Sequence, residues 1–526
     1  MSERLARSAG LIGVATLASR LLGLVRDKVL AHFFGAGDVM DAYNVATRFP
    51  TLLRELFAEG AMSAAFVPTF TRELTSGGKP AAWRLGSLVV NTLLAVTGAL
   101  VVLGIVFATP LTRLYASQYM AVPGKLELTA SLTRITMPFL MLVALAAACM
   151  GMLNALRRFF IPAFSPTMFN AVLIVSTVGS AWLAPSLGFS PITGVACGFL
   201  VGGVAQMAVQ WPALRREGFV HQWIFDLKDP GLREVMMLMG PGAVGQAAAQ
   251  INLLVNTWLA TGQGTGAVSW LSSAFRLMYL PIGIFGVSVA TAAIPDLARH
   301  AARGAYDDMR STLSSGMRLM LMLSVPSFVG LVVLAGPIVE LTLQGGAFKA
   351  SDTQAVSRAL WFYAPGLIGY SIVKIASPCF YALRDARTPV IVSVVTVLSN
   401  LVLNVVLVRV MGYRGLALGT AIAANVNAGL LLFILSRRIG GVDSARVFRA
   451  LVKITIASCA MGVAAYYAEL GLHHFLPGGR WWASLIRVAG AIGAGLGVLG
   501  LAAHLLRIQE FGAAMQRIFG KLGIGN

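Results

Sequence analysis

The sequence LGSLVVNTLLAVTGALVVLGIVFATPLT, residues 85–112, contains no charged side chain. It is long enough to cross the hydrocarbon core of a bilayer as a helix, which takes about 20 apolar residues. A second charge-free run, residues 159–214, is divided near residues 186–194 by a turn rich in Gly, Ser and Pro, and this predicts two helices. The same reasoning along the whole chain predicts about fourteen membrane-spanning helices.

The overall composition supports an all-α polytopic membrane protein. Of 526 residues, 57% are hydrophobic and 12% are charged, and the mean hydropathy is +0.77. Soluble domains contain about 25% charged residues, so too few are present here to cover a water-exposed surface. The composition excludes a soluble protein and a disordered chain.

The distribution of basic residues predicts the orientation in the membrane. With the N-terminus inside, the cytoplasmic ends and loops contain about 25 Lys and Arg residues, and the outer loops and their flanks about 7, including Lys125. This bias predicts cytoplasmic N- and C-termini and an even number of spans. The net charge of +20 then reflects loops that face anionic lipid, and no nucleic-acid partner is expected.

Motifs recur at one constant offset along the chain. Pro110 matches Pro337, and at the same offset the tripeptide Ala-Leu-Arg at residues 155–157 recurs at residues 382–384. Six spans for each repeat would give both copies the same polarity, so the repeat is parallel. We expect a six-helix lobe at residues 1–217, a second at 218–440, and two additional helices with a short cytoplasmic tail at 441–526. Duplicated bundles of this kind usually transport a substrate by alternating access.

Charge is concentrated in the first two spans, whereas the matching part of the second copy keeps essentially Arg276. The charged residues of the first two spans are Arg20, Arg26, Asp27, Lys28, Asp41, Arg48, Arg54, Glu55 and Glu59. Each intramembrane charge costs about 2.5–3.5 kcal/mol, so several must face water or one another. One interpretation is an anion site, because guanidinium groups match phosphate oxygens in pairs. The other is a set of structural ion pairs, in which Asp41 and Glu59 would pair with the arginines.

Three stretches closely resemble the MurJ (MviN) family. They are SRLLGLVRD at residues 19–27, FGAG at residues 34–37 followed by Asp41, and FPTLLRELFAEGA at residues 49–61. That family consists of bacterial lipid II flippases in the multidrug/oligosaccharidyl-lipid/polysaccharide (MOP) exporter superfamily. This sequence departs from the family pattern at Thr51 and Glu55.

The resemblance implies a fourteen-helix inner-membrane protein that moves undecaprenyl-pyrophosphate-linked peptidoglycan precursor to the outer leaflet through an arginine-lined cavity. It implies substrate binding by Arg20, Arg26, Arg54 and Arg276, with Asp27, Asp41 and Glu59 as gating or ion-pair residues. The last two helices would bind the polyprenyl tail. Besides lipid II, we expect phospholipids as partners, and the cell-wall synthesis machinery is a candidate partner.

Some relatives bind sodium in the second lobe, at positions that correspond here to Asn256, Asn400, Asn404 and Thr420. Amides replace the carboxylates of those relatives, so we expect hydrogen bonds between helices rather than a metal site. No cofactor is expected, and a coupling ion or the membrane potential remains open as the driving force.

Two other functions remain as alternatives. An ion-coupled drug or polysaccharide-lipid exporter of the same superfamily would share the duplicated lobes, and a drug antiporter should have a carboxylate-centred cavity. A polyprenyl-phosphate transferase would need a cluster of metal-binding carboxylates or a general base in a sizeable loop. The loops are short, and their one acidic pair, Asp307-Asp308, lies beside Arg310. The sequence therefore predicts a transporter and no enzymatic turnover.

Overall fold

The regular structure of this chain is helical. The computed structural model describes residues 2–55, 61–283, 287–477 and 480–512. The first helices are α1 (Ser2–Phe34), α2 (Asp38–Arg54), α3 (Ala61–Ser76), α4 (Gly78–Val106), α5 (Ala108–Tyr115), α6 (Lys125–Thr136), α7 (Phe139–Ala155), α8 (Phe160–Leu183), α9 (Pro191–Ala208), α10 (Trp211–Arg216) and α11 (Pro230–Thr261). They are followed by α12 (Ala267–Pro281), α13 (Val287–Ala302), α14 (Tyr306–Val333), α15 (Ala335–Thr342), α16 (Ala350–Tyr363), α17 (Gly366–Ala382), α18 (Arg387–Met411), α19 (Tyr413–Ile439), α20 (Ser444–Phe475) and α21 (Trp481–Leu505).

Many of these helices have the length and composition of membrane spans. Within the described ranges, nine segments are long and apolar enough to cross a membrane. A tenth results if α16 and α17, which are bent by 47° at their junction, form one broken span. These findings confirm the predicted all-helical membrane protein with multiple spans.

The chain divides into two compact units. The first comprises Met1–Ser269 with Gly345–Lys349, and the second comprises Trp270–Gln344 with Ala350–Asn526. In the first unit, one apolar core surrounds the phenylalanines of α3 and the start of α4, and another surrounds Phe139 of α7 and Phe199 of α9. In the second unit, Met317 and Met320 of α14 pack against Phe380 of α17.

Helix boundaries repeat in the register that the motifs predict. The ends of α7 and α17, the starts of α8 and α18, and the starts of α5 and α15 are each separated by the same offset as Pro110 and Pro337. Arg157 and Arg384 occupy equivalent places after α7 and α17, with φ of 60° and 58°. Positive φ is uncommon for a residue other than glycine, so the two turns share a specific backbone conformation as well as a sequence.

Candidate functional site

Arg26 is held by groups on two helices. Its Nη2 and Nε donate to Oδ1 of Asp27 at 2.8 and 3.1 Å, and its Nη1 donates to Oδ1 of Asn170 at 2.9 Å. Asn170 lies on α8 and also donates from Nδ2 to the carbonyl of Ser19 on α1. The guanidinium orientation is therefore fixed by its neighbour in sequence and by α8. Because the Arg26–Asp27 pair has no net charge, an anion at this position would compete with Asp27.

Arg20 and Arg54 retain donor groups that are buried. In the described part of the chain, the Nε of Arg20 and the Nε of Arg54 are buried without a hydrogen-bond acceptor. Arg54 Nη2 lies 3.8 Å from Glu55 Oε1, and Gln250 of α11 donates to Glu55 Oε2 at 2.6 Å. A buried N–H group without an acceptor is costly, and an anionic oxygen would satisfy it.

Asp41 is the centre of a buried polar cluster near the start of α2. Its side chain is fully buried and accepts hydrogen bonds from the backbone N–H of Gly266 at 2.7 Å and of Ser269 at 3.0 Å. The Ser269 hydroxyl donates to Asp41 at 2.7 Å, and Asn44 donates to that hydroxyl at 3.0 Å. These bonds join α2 to the start of α12.

Lys125 supplies the cation of this cluster. Its ammonium lies 2.7 Å from Asp38 Oδ1, 3.3 Å from Asp41 Oδ2, and 4.0 Å from the ring centroid of Tyr119. The Thr265 hydroxyl also donates to Asp38, at 2.8 Å. The expectation that Asp41 pairs with an arginine is therefore wrong: the start of α6 brings a lysine to it. Although the sequence places Lys125 among the residues of the outer loops and their flanks, only 3% of its side chain is exposed.

The other predicted site residues are placed as follows. Arg276 lies on α12 in the second unit and is half-buried. Glu59 lies outside the described residues. α1 is unbroken across Gly23, and α2 is unbroken across Pro50, so neither residue interrupts its helix.

The residues considered for sodium binding form hydrogen bonds with protein groups. Asn404 Nδ2 donates to Asn400 Oδ1 at 2.9 Å within α18, and both side chains are fully buried. The Thr420 hydroxyl donates to the carbonyl of Leu416 at 2.8 Å within α19. Asn256 lies on α11 and belongs to the first unit.

Sequence reasoning did not identify Lys125, Asn170, Gln250 or Ser269 as site residues. Each lies at least 84 residues along the chain from the charged group it contacts. The sequence signal available for Lys125 and Asn170 was their polarity next to apolar runs. The polarity of a residue does not identify the residue that it contacts. The packing of α1, α2, α6, α8 and α12 determines those contacts.

The chain resembles known proteins over most of its length. The family model described as lipid II flippase MurJ matches residues 30–484. The probable lipid II flippase MurJ of Vibrio cholerae is 35% identical over 82% of this chain and 83% of its own length. The corresponding protein of Haemophilus influenzae is 32% identical over 93% of this chain and 99% of its own length.

Solved structures agree with the sequence comparisons. A lipid II flippase MurJ in an inward closed conformation superimposes with a TM-score of 0.76 at 28% identity, covering 94% of this chain and 99% of its own. An inward-facing multidrug resistance MATE family transporter of the MOP superfamily shares the fold, with a TM-score of 0.67 at 15% identity over 82% of this chain and 99% of its own. This multi-pass bacterial membrane protein therefore belongs to the MurJ family of lipid II flippases, which are transporters and not enzymes.

Proposed function

We propose that this chain moves lipid II from the inner to the outer leaflet by alternating access, and that Arg20, Arg26, Arg54 and Arg276 bind the pyrophosphate. The observation that carries the proposal is the buried, unsatisfied Nε of Arg20 on α1, in a chain of this family. A diphosphate cannot cross hydrocarbon as a bare charge, and fixed guanidinium groups offset the cost of its desolvation. The polyprenyl tail can stay in lipid throughout.

The proposed topology follows from the helix boundaries. We infer fourteen spans: two six-helix lobes, at residues 1–217 and 218–440, related by a parallel repeat, and then α20 and α21. The constant offset between matching helix boundaries supports this arrangement. The excess of basic residues in the assigned cytoplasmic loops supports an inner-membrane protein with both termini in the cytoplasm.

Asp41 is proposed to act as a latch. Its bonds to Gly266 and Ser269 hold α2 against the start of α12. In the proposed topology this cluster lies at the outer end of the first two spans, where its rupture would open an outward path. Asp27 is proposed to compete with pyrophosphate for Arg26, because both are anions and one guanidinium cannot satisfy both fully. Glu59 is proposed as a further gating residue from the family resemblance alone.

Release to the outside needs a driving force. Outward movement of negative charge is favoured by an inside-negative potential, by about 2.3 kcal/mol per charge per 100 mV. No cofactor is included in this proposal, and a coupling ion would supplement the potential.

The final helices are proposed to bind the polyprenyl tail. α20 packs closely on α14, because a Cβ at Gly462 would lie 2.7 Å from Val329. α21 packs on α20 with Gly495 against Met461 and Ala465. The outer faces of α20 and α21 carry exposed apolar side chains, among them Tyr467 and Leu501. Phospholipids are proposed as neighbours of this surface, and proteins of cell-wall synthesis as partners.

A depletion and rescue experiment tests the proposal. In a cell whose own lipid II flippase is conditional, the parent chain should restore growth and the exposure of lipid II on the outer leaflet. Arg26→Ala and Arg276→Ala should fail at equal expression, and Arg113→Ala, which changes an exposed arginine of α5, should succeed. Full rescue by both arginine variants would refute the anion site. Efflux of cationic dyes without any effect on lipid II exposure would favour the drug exporter.

A further inference from the structure

The segment between α10 and α11, residues 217–229, runs along the side of α4. Asn91 of α4 donates from Nδ2 to the carbonyls of Gln222 and Ile224, both at 2.8 Å. Asn91 Oδ1 lies 2.8 Å from Nε2 of His221, and the N–H of Gln222 donates to Ser87 at 3.3 Å. The segment is therefore tied to α4 through its own backbone.

The contacts of the segment show that it runs along α4 from the first turn toward Asn91 and then returns toward the first turns. At its start, Glu217 pairs with Lys79, near the first residue of α4. Its middle lies at Asn91, which is 12 residues, or about 18 Å, further along the helix. Near its end, Asp226 pairs with Arg84 at 3.2 Å. Entry and exit are thus both on the charged end of α4, and the middle lies beside the apolar part.

The middle of the segment lies beside the charge-free run of α4, which is a candidate membrane span. The charge-free run of α4 begins at Leu85, so Asn91 is six residues, or about 9 Å, inside it. Non-helical backbone is tolerated at this depth only where its polar groups are satisfied by protein. Asn91 and Ser87 supply such partners, and both side chains are fully buried.

The exposed side chains of the segment include four large apolar groups beside Gln222 and Lys228. Phe219 faces inward and is buried against Trp83 and Trp211. In contrast, the exposed apolar side chains are Val220, Trp223, Phe225 and Leu227, with 72%, 74%, 64% and 62% of their surfaces accessible. Water disfavours four large exposed apolar side chains on one short segment, and acyl chains accept them.

Basic side chains flank both ends of the segment in the sequence. Arg215 and Arg216 end α10, Lys228 precedes α11, and Arg233 lies in the first turn of α11; all four are exposed. Exposed cations at both ends of a segment with exposed apolar side chains are complementary to a lipid that has an anionic headgroup and acyl chains.

We propose that residues 217–229 are a re-entrant membrane anchor that binds acidic phospholipid. Val220, Trp223, Phe225 and Leu227 contact the acyl chains of the leaflet that faces the cytoplasm, and the four cations bind the phosphate-containing headgroup. Asn91 positions the segment by satisfying its carbonyls. None of these residues is among the arginines proposed to bind the substrate.

Fluorescence quenching of Trp223 tests the acyl contact. The full chain and Trp223→Phe are reconstituted in liposomes that contain brominated lipid, and their difference isolates the signal of Trp223. Trp182→Phe is the matched control, because Trp182 is 77% exposed near the end of α8. We expect stronger quenching of Trp223 by lipid that is brominated on the part of the acyl chain nearest the headgroup than by iodide in water. Quenching by iodide alone, or protection from both quenchers, would refute the proposal.

The headgroup preference is tested with the same signal. Brominated phosphatidylglycerol should quench Trp223 more strongly than brominated phosphatidylcholine at an equal mole fraction. The double variant Arg215→Gln, Arg216→Gln should lower that preference by at least about fivefold, the effect of one cation near an anionic surface. The control pair Arg446→Gln, Arg449→Gln changes the same charge at the start of α20 and should leave the preference intact. Equal quenching by the two lipids in the parent would overturn the headgroup contact.

Discussion

Replacing Asp41 by Asn is expected to weaken the contact between α2 and the start of α12. The amide has nearly the same shape, but it carries no charge to face Lys125. It also turns one acceptor oxygen into a donor that faces the N–H groups of Gly266 and Ser269. The substitution therefore changes the electrostatics of the cluster with little change in packing.

The magnitude follows from the contacts of the cluster. Removing one partner of a buried ion pair costs about 3–5 kcal/mol. Lys125 keeps its bond to Asp38 at 2.7 Å, so the lower end of that range, about 3 kcal/mol, is expected. A change of that size shifts the equilibrium between latched and open states by a factor of about 150.

Thiol labelling from outside the cell measures this shift. Ala42, which is fully buried beside Asp41, is replaced by Cys in a chain whose exposed Cys197 and Cys459 are changed to Ser. A membrane-impermeant maleimide should then label the Asp41→Asn chain much faster than the parent. Asp352→Asn is the matched control, since it removes a carboxylate at the start of α16 that accepts a hydrogen bond from Trp270. Equal labelling rates in the parent and Asp41→Asn would refute the latch.

Three further outcomes are expected. Gly346→Ala should destabilise the protein by at least about 1 kcal/mol, because φ is +58° and the new Cβ would lie 2.2 Å from a carbonyl oxygen of α1. This loss is measured as a lower Tm. Gly429→Ala is the control, because its new Cβ would enter open space, and it should not lower Tm in this way. Asn170→Leu removes an acceptor from Arg26, and we expect a loss of about 1.5–3 kcal/mol, measured as lower Tm and weaker rescue of flippase depletion. The pKa of Asp385 is held below its ordinary value of 3.8 by hydrogen bonds from the hydroxyl and the backbone N–H of Thr388 and by the charge of Arg438. The stabilising effect of the ionised Asp385 carboxylate is therefore fully present above the ordinary pKa and is lost as the pH falls through the lowered pKa. The Tm of the parent should exceed that of Asp385→Asn at neutral pH, and this difference should shrink in acid.

The sequence predicts the helical framework well, because the signals for it are local. Charge-free runs predicted the helices, and the internal repeat anticipated the matching turns at Arg157 and Arg384. It did not predict the partner of Asp41, since Lys125 comes to it from the start of α6, 84 residues away. The path of residues 217–229 was hidden for a similar reason. Charged residues at both ends of the segment resemble a solvated loop, and only the contacts of Asn91 show that its middle lies beside the charge-free run of α4.

We propose that Arg26 and Arg276 each contribute to the binding of pyrophosphate. Binding of undecaprenyl pyrophosphate to the purified chain in nanodiscs tests it most directly, with Arg26→Ala, Arg276→Ala and the double variant compared. Each single variant should lose about 10–150-fold in affinity, the value of a charge-assisted hydrogen bond of about 1.5–3 kcal/mol. The double variant should lose more affinity than either single variant, because each group would contribute its own contact to the headgroup. Unchanged affinity in Arg276→Ala, or a double variant no weaker than Arg26→Ala alone, would contradict the proposed binding site.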